Sequence, residues 1–568
     1  MTLRASGRLG LAVFAGALLL FLAGLPGRDL WHVDESRYAE VARVMALPGA
    51  DRLVPHLNGR VYPEKPPGFF WAVALAHGAL GLDLPLAAKL PSVLGAALAV
   101  LAVFGVARRL YGPSASLAAA LALACTMGLG GLARRAQLDA FLTGFTTLAI
   151  WAWVEGAFAA RRPAARRACY AGACCLAGLG VLVKGPVALM VPGAAILAQR
   201  LWQAGPRALR SPWLVAAPLL ALLPVALWLA VATADAGRGY FDTIVLGRAI
   251  GHALGHKDKV RPFWFYLGVF PVGALPWTFL LPAAVLAFAR WRRAAEQAAD
   301  RFALAWLLVP LALFSVFPAK RNLYLTPVYP ALALWIGRLA RDVLEGPEGG
   351  QRLRHPAVTW GVRALAVAML GLGAGALAAA LVAPVAGGAL ARAFPVWEVM
   401  RSEATPGLLL RAALLGLVIA AGGGIALRLA SPRAAAGGLG VAAVGLSLLY
   451  GSVVVPLADP AVGARRFVRR IAPIVGDAPI ADYAGGADFV LNWALPREVV
   501  PIVKDRAAAE RFVAEHAGGP VFLVVDRPDL AQQGLPDGLV ELVEWPRPLD
   551  KDLILLGRPE TPSPHSSP

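Results

Sequence analysis

Thirteen stretches of 15 to 28 residues, nearly free of charge, run through the chain at 9–26, 90–107, 115–132, 139–158, 168–183, 185–199, 212–233, 263–289, 302–317, 323–337, 357–384, 407–427 and 434–456. A bilayer core about 30 Å thick takes roughly 20 apolar helical residues to cross. Backbone in lipid must also satisfy its own hydrogen bonds, so these stretches call for a polytopic α-helical membrane protein of about 13 spans. The stretches at 168–183 and 185–199 are short and share the Lys184-Gly185-Pro186 corner, so one broken helix is the alternative there. With 58% apolar and 16% charged residues and a mean hydropathy of +0.63, neither a soluble multidomain chain nor a disordered one fits. Cys125, Cys169, Cys174 and Cys175 all fall in apolar stretches, as small core residues do, rather than in a disulfide or metal framework.

The net charge of +19 would suggest a nucleic-acid partner in a soluble chain, but its placement gives it another meaning. Residues 67–82 are also apolar. If they cross, the basic clusters that follow alternate between faces; if they lie at the interface as a juxtamembrane helix, the clusters fall on one side. These are Arg4/Arg8, Arg108/Arg109, Arg161/Arg162/Arg166/Arg167, Arg200/Arg207/Arg210, Arg290/Arg292/Arg293/Arg301, Arg338/Arg341/Arg352/Arg354 and Arg428/Arg433. Twenty-one bases meet only five acids there (Glu296, Asp300, Asp342, Glu345 and Glu348), which accounts for +16 of the +19. The positive-inside rule makes this side cytoplasmic, with the N-terminus inside and the C-terminus outside. Segment 9–26 lacks a small-x-small site followed by soluble sequence, so an uncleaved span is expected over a signal peptide. Outside lie loops 27–89, 234–262 and 385–406, and a region from 457 whose short apolar runs alternate with helical patterns. Residues 457–560 read as a small periplasmic α/β domain after a transmembrane domain at 1–456, with a disordered Ser/Pro-rich tail at 561–568.

Several polar residues stand where lipid disfavours them. Asp34 and Glu35 follow the first span, where a carboxylate can face a water-filled cavity. The following residues, with Arg37, Glu40, Val41, Val44 and Met45 at helical spacing, suit an amphipathic helix on the membrane, its Glu40, Arg43 and Arg52 solvated. Arg134/Arg135, Lys184 and Lys320/Arg321 occupy short outer turns against the charge rule and need anionic partners: Asp139 for Arg135, and for the others a lipid phosphate or pyrophosphate, with headgroup snorkelling as the competing account. His252 and His256, four apart, could share a helix face, though a surface loop with two ordinary histidines is the simpler reading.

The stretch Asp34-Glu35-x-Arg37-Tyr38-Ala39-Glu40, then Leu57-Asn58-Gly59 and Tyr62-x-Glu64-Lys65-Pro66-Pro67, resembles the GT-C class of polyprenyl-phosphate-sugar-dependent glycosyltransferases. It is similar to the branch of the lipid A 4-amino-4-deoxy-L-arabinose transferases, related to the dolichyl-phosphate-mannose protein mannosyltransferases. Arg135-x-x-x-Asp139-Ala140, Lys184-Gly185-Pro186, His256 through Tyr266 and Lys320-Arg321-Asn322-x-Tyr324 continue the match in order over about residues 1–340. The resemblance implies a GT-C-like fold with periplasmic juxtamembrane helices and Asp34 as catalytic carboxylate. It places Glu35, Arg37, Tyr38, Tyr62, Glu64, Lys65, Asp139, Lys184, His256, Arg261, Lys320, Arg321 and Tyr324 around the substrates, with Lys184 foremost on the polyprenyl phosphate and Lys320 or Arg321 assisting.

The expected activity is inverting sugar transfer at the periplasmic face of the bacterial inner membrane. The donor is an undecaprenyl-phosphate-linked sugar and the acceptor lipid A or a related glycolipid, a protein Ser/Thr hydroxyl being the alternative. No cofactor is firmly implied, although a divalent metal near Glu64 or His256 is compatible with the residues. Membrane lipids, and no nucleic acid, complete the expected partners. A transporter predicts ionisable residues in mid-span and an internal repeat; Glu155 is the only acid well inside a span, and no repeat is evident. A membrane scaffold would leave Asp34, Lys65 and Lys184 unexplained.

Overall fold

The computed structural model describes residues 3–210, 212–242, 244, 260–290, 296–345, 349–382, 403–487, 489–495, 497–547 and 550–558. Every expected span falls on helical chain. Among the described residues eight helices are long and apolar enough to cross a membrane, or ten if the bent pairs Pro113–Ala124 with Met127–Ala133 (59°) and Phe265–Gly273 with Trp277–Ala289 (107°) each count as one. Thirteen is not reached, because three of the expected spans are less apolar or shorter than that. Helix Leu3–Leu22 opens with two arginines, Val187–Ala204 ends in a polar turn, and the 17-residue Tyr329–Glu345 carries Arg338, Arg341 and Asp342. Residues 67–82 form helix Gly68–Ala74 and a single π-helical turn, Leu75–Ala79. At 1.5 Å per residue that is about 18 Å, too short to cross.

The bundle packs through small residues, as helices must where lipid removes the hydrophobic drive to associate. Helix Leu84–Tyr111 lies against Leu138–Phe158 at Gly95 and Gly144. A β-carbon on Gly95 would lie 2.3 Å from the Phe141 Cα, and one on Gly144 would lie 2.7 Å from the Gly95 carbonyl oxygen. This crossing brings Asp139, at the start of its helix, to the same end of the bundle as Leu84.

At the opposite end, two of the arginines counted in the cytoplasmic charge are buried in ion pairs. The Arg338 guanidinium forks onto Asp300 (2.8 and 3.0 Å) and also reaches Asp342 (2.9 Å). Arg341 forks onto Glu296 (2.7 and 2.8 Å) and meets Asp342 (2.8 Å). Tyr111 donates to Asp300 at 3.1 Å. Three of the five acids counted on that side therefore serve as internal counter-ions. Glu155 is held by Arg109 at 2.7 Å near the end of its helix, so it is no mid-span acid. The four cysteines are free thiols; Cys125 is buried as expected, whereas Cys175 is exposed on the bundle surface.

Helix His32–Ala46 does not lie solvated on the membrane as its pattern predicted. Tyr38, Ala39, Val41, Ala42 and Met45 are buried in one cluster with Phe69, Phe70 and Val73 on one side and Phe467, Val468 and Trp493 on the other. Glu40 is fully buried and forks with Arg43 at 2.7 and 2.8 Å. Burial of that carboxylate raises its pKa, and the Arg43 guanidinium opposes the rise.

The covering layer comes from the C-terminal region. Helix Arg465–Val475 turns Phe467, Val468, Ile471 and Val475 inward and leads into a five-stranded sheet. Counting the hairpin strands His56–Leu57 (β1) and Arg60–Val61 (β2), the sheet holds β3 (Ile480–Tyr483), β4 (Ile502–Val503), β5 (Phe522–Asp526), β6 (Val540–Trp545) and β7 (Leu553–Gly557) in the order β4-β3-β5-β7-β6. Pairs β3–β4 and β3–β5 are parallel, with Ile480 opposite Phe522; β5–β7 and β6–β7 are antiparallel. Strands β3, β5 and β7 are buried along their whole length, while the edge strand β6 exposes Glu541 and Glu544. The tail at 561–568 and most of the loops 234–262 and 385–406 lie outside the described residues.

Asn58 joins this region to the first outer loop. It adopts φ 52° at the hairpin tip. Its amide donates to the Val500 carbonyl (2.8 Å), and its side-chain oxygen accepts from the Val500 N–H (2.8 Å) and Asn492 (3.0 Å). Asn58→Ala removes all three bonds, a loss of about 3 kcal/mol at roughly 1 kcal/mol each. Limited proteolysis should then cut residues 465–558 faster than in the wild type; equal rates would refute this docking role.

Candidate active site

Asp34 lies in the first turn of helix His32–Ala46, 9% exposed, where the helix N-terminus favours a carboxylate. Arg37, one turn on, makes an ion pair with it and lies 3.8 Å from Glu64. Arg321, just before the 3-10 segment Asn322–Val328, brings its guanidinium to 3.9 Å from the other Asp34 oxygen. Tyr62 donates to Glu64 at 3.2 Å, and the Lys65 ammonium donates to the Glu64 carbonyl at 3.1 Å. Lys184, at the end of helix Pro163–Lys184, pairs with Asp139 and stands 5.2 Å over the Tyr324 ring. Tyr38 packs on Phe69 and Phe70, within electrostatic reach of Asp34, Asp139 and Arg321.

Ten predicted residues thus converge from five parts of the chain: Asp34, Arg37, Tyr38, Tyr62, Glu64, Lys65, Asp139, Lys184, Arg321 and Tyr324. Four cations (Arg37, Lys65, Lys184 and Arg321) meet three carboxylates (Asp34, Glu64 and Asp139), which leaves a positive excess suited to a phosphate. Burial, and then the neighbouring Lys184 charge, push the Lys65 ammonium down to about 8. Burial pushes the Tyr38 and Tyr62 phenols up, so both remain hydrogen-bond donors at neutral pH.

Three predicted residues stand apart. Glu35 points away from Asp34, 1% exposed, and is forked by Arg28 at 2.9 and 3.0 Å, because adjacent residues on a helix face directions about 100° apart. The Lys320 ammonium is buried and donates to the carbonyls of Arg261 (3.0 Å) and Phe317, so it braces the turn that presents Arg321. Arg261 is exposed and lies over Phe265 at 6.0 Å; its backbone joins that same turn. His256, like His252, lies outside the described residues. No group of three or more metal-ligating side chains occurs among the described residues, and Glu64 is surrounded by cations, a poor setting for a divalent ion.

Two partnerships differ from the sequence expectation. Asp139 belongs to Lys184, across 45 residues, while Arg135 stacks 5.8 Å over Trp31. Arg134 needs no anion: it is 2% exposed and donates to the carbonyls of Leu20 (2.6 Å), Gly130 (2.9 Å) and Ser447 (3.3 Å), capping helix ends. The supports that sequence reasoning missed are Arg28 and Lys89. Arg28 also donates to the Arg134 carbonyl at 2.9 Å, and Lys89, fully buried, donates to the Arg28 carbonyl at 2.6 Å. A lysine six residues into a 28-residue apolar helix was the available signal.

A family model described as dolichyl-phosphate-mannose-protein mannosyltransferase matches residues 64–230, a range that includes Glu64, Lys65, Asp139 and Lys184. The chain is 35% identical over 348 residues to the undecaprenyl phosphate-alpha-4-amino-4-deoxy-L-arabinose arabinosyl transferase of Edwardsiella ictaluri, covering 59% of this chain and 60% of that one. It is 36% identical over 323 residues to the enzyme of the same name from Pseudomonas aeruginosa, covering 56% and 57%. The chain therefore spans about 60% or less of the length of these curated relatives. The crystal structure of ArnT from Cupriavidus metallidurans bound to undecaprenyl phosphate superposes with a TM-score of 0.73 over 99% of both chains, at 20% identity. At that identity the likeness is one of fold: the chain has the ArnT fold.

Proposed function

We propose that the chain is an inner-membrane glycosyltransferase that moves a sugar from undecaprenyl phosphate to lipid A or a related glycolipid. In this reading the N-terminus is cytoplasmic, thirteen segments cross, and the Asp34 cluster and residues 457–560 form the periplasmic face. The observation that carries it is the cluster itself, four cations and three carboxylates gathered from five parts of the chain around Asp34. The names of the relatives, and the undecaprenyl phosphate bound to the structural neighbour, support the donor.

The chemistry follows from the charges. An acceptor oxygen attacks the anomeric carbon from the face opposite the phosphate, the new C–O bond forms as the bond to phosphate oxygen breaks, and configuration inverts. Lys65, Lys184 and Arg321 stabilise the departing phosphate, and Arg37 holds Asp34 in place. A hydroxyl acceptor gives its proton to Asp34; an acceptor that is already an anionic phosphate needs Asp34 only for orientation. A glycolipid acceptor is favoured by the resemblance of the Asp34 and Lys65 motifs to the lipid A 4-amino-4-deoxy-L-arabinose transferases. The mannosyltransferase description of the family model favours a second reading, a Ser/Thr acceptor. Proteoliposomes given a panel of undecaprenyl-phosphate sugars, with lipid A or Ser/Thr peptides, decide by mass spectrometry. One added sugar on lipid A is the expected product, addition to peptide alone selects the second reading, and no transfer from any donor defeats both.

The donor should also bind in a pH-dependent way. Lys65 is protonated at pH 7 and loses its proton as the pH rises through about 8, whereas a bound phosphate raises its pKa and so requires the cation. The donor KM should climb above pH 8 in the wild type. Lys65→Arg should flatten that limb, because a guanidinium stays charged. A wild-type KM constant from pH 7 to about pH 9.5 would contradict this role.

A further inference from the structure

A second cavity of about 460 Å³ lies at the other end of helix His32–Ala46, enclosed by Arg43 and Leu47, by His77 and the turn through Asp83, and by Arg465 and Trp493. Arg43 is nine residues from Asp34, about 13 Å along the helix. The volume falls within the roughly 300–1,000 Å³ of cavities that take small ligands.

The polar groups of this cleft identify what fits. Arg43 is already forked onto Glu40, and Arg465 forks onto Asp83 at 2.9 and 3.1 Å, so each cation has its counter-ion and no positive excess is left for a phosphate. His77 Nδ1 donates to the Leu82 carbonyl at 2.8 Å, which leaves Nε2 as an acceptor with no protein partner among the described residues. Asp83 is half exposed and can accept further bonds; the arginines can donate. Trp493, with the Arg465 guanidinium 5.9 Å over its ring, supplies an apolar wall. A charge-balanced mixture of donors and acceptors beside an aromatic ring matches hydroxyl groups, which both donate and accept. Phosphate oxygens only accept. Leu75 and Leu80, 61% and 66% exposed, flank the turn and give its outer edge the apolar surface that a bilayer covers.

We propose that this cleft holds a sugar ring of the acceptor's glycolipid headgroup, as a docking subsite remote from the reacting carbon. The proposal rests on the glycosyltransferase reading above and extends it to acceptor selection. With the acceptor anchored at one end of helix His32–Ala46, its reactive group is delivered to Asp34 at the other, and a free sugar lacking the anchor is a poor substrate.

Direct binding tests the cleft without turnover. Labelled lipid A and undecaprenyl phosphate are each titrated into the purified full chain as wild type, Leu47→Trp, which fills the cavity, and His77→Ala, which removes one acceptor. Loss of one or two hydrogen bonds predicts a dissociation constant for lipid A about three- to tenfold weaker in His77→Ala. The filled cavity should weaken it by more than about tenfold. Undecaprenyl phosphate affinity should stay within about twofold in both, which also reports an intact fold. Wild-type lipid A affinity in both variants overturns the proposal, as does a wild-type chain that does not bind lipid A. Failure of sugar transfer by the wild type would instead defeat the proposed function, while this comparison still decides the cleft.

Discussion

Asp34→Asn lowers kcat by about 10²- to 10⁴-fold, the range for removing a positioned general base, and leaves undecaprenyl phosphate affinity unchanged or tighter. The substitution preserves shape and can still accept from Arg37, so the packing of helix His32–Ala46 survives. The lost charge is the one paired with Arg37 and 3.9 Å from Arg321. Without it both cations are freer for a donor phosphate, which is why binding should not suffer while turnover does. The size of the fall also separates the acceptor chemistries: the upper end fits a hydroxyl that must give up a proton, the lower end an acceptor already anionic. Wild-type turnover in Asp34→Asn would remove the residue from catalysis.

Arg28→Ala should be the most destabilising single change near the site. Its guanidinium and the Glu35 carboxylate are each about 1% exposed and forked together, so truncation strands a buried carboxylate, a cost of about 3–5 kcal/mol. The Arg134 carbonyl loses a donor as well. Because Glu35 follows Asp34 directly, the disturbance reaches the turn that carries Asp34. Heat-induced unfolding in detergent should show a large fall in Tm, and the double variant Arg28→Ala/Glu35→Gln should recover part of it by removing the stranded charge. A double variant no more stable than Arg28→Ala alone would mean that the ion pair is not the source of the cost.

These contrasts show what a linear chain reveals and what it conceals. The bundle was legible because lipid imposes a length and an apolarity on each crossing; Lys184 and Arg321 were legible as cations in short turns against the charge rule, and Asp34, Glu64 and Lys65 through the resemblance of their motifs. Which of two neighbouring charges faces the site was not. Asp34 and Glu35, and likewise Arg321 and Lys320, differ by one position, and only the direction each side chain takes from its turn separates the member that joins the cluster from the one that does not. Partners distant in sequence were equally hidden: Lys184 finds Asp139 because helix Pro163–Lys184 packs on Leu138–Phe158, with Gly180 against Leu142 and Phe145, and Arg338 finds Asp300 across 38 residues. The amphipathic pattern of helix His32–Ala46 was read as membrane-facing, because nothing local announces that Arg465–Val475 and Trp493 cover its other side.

A donor phosphate held by the cations beside Asp34 is the premise of the proposed transfer. Its most direct test is native mass spectrometry of undecaprenyl phosphate binding to the wild type, Lys65→Ala, Arg321→Ala and Asp34→Asn. Saturable binding by the wild type, weakened at least about tenfold in the two cation variants and kept in Asp34→Asn, is the predicted result. A wild-type chain that binds no undecaprenyl phosphate, or cation variants that bind it equally well, would contradict it.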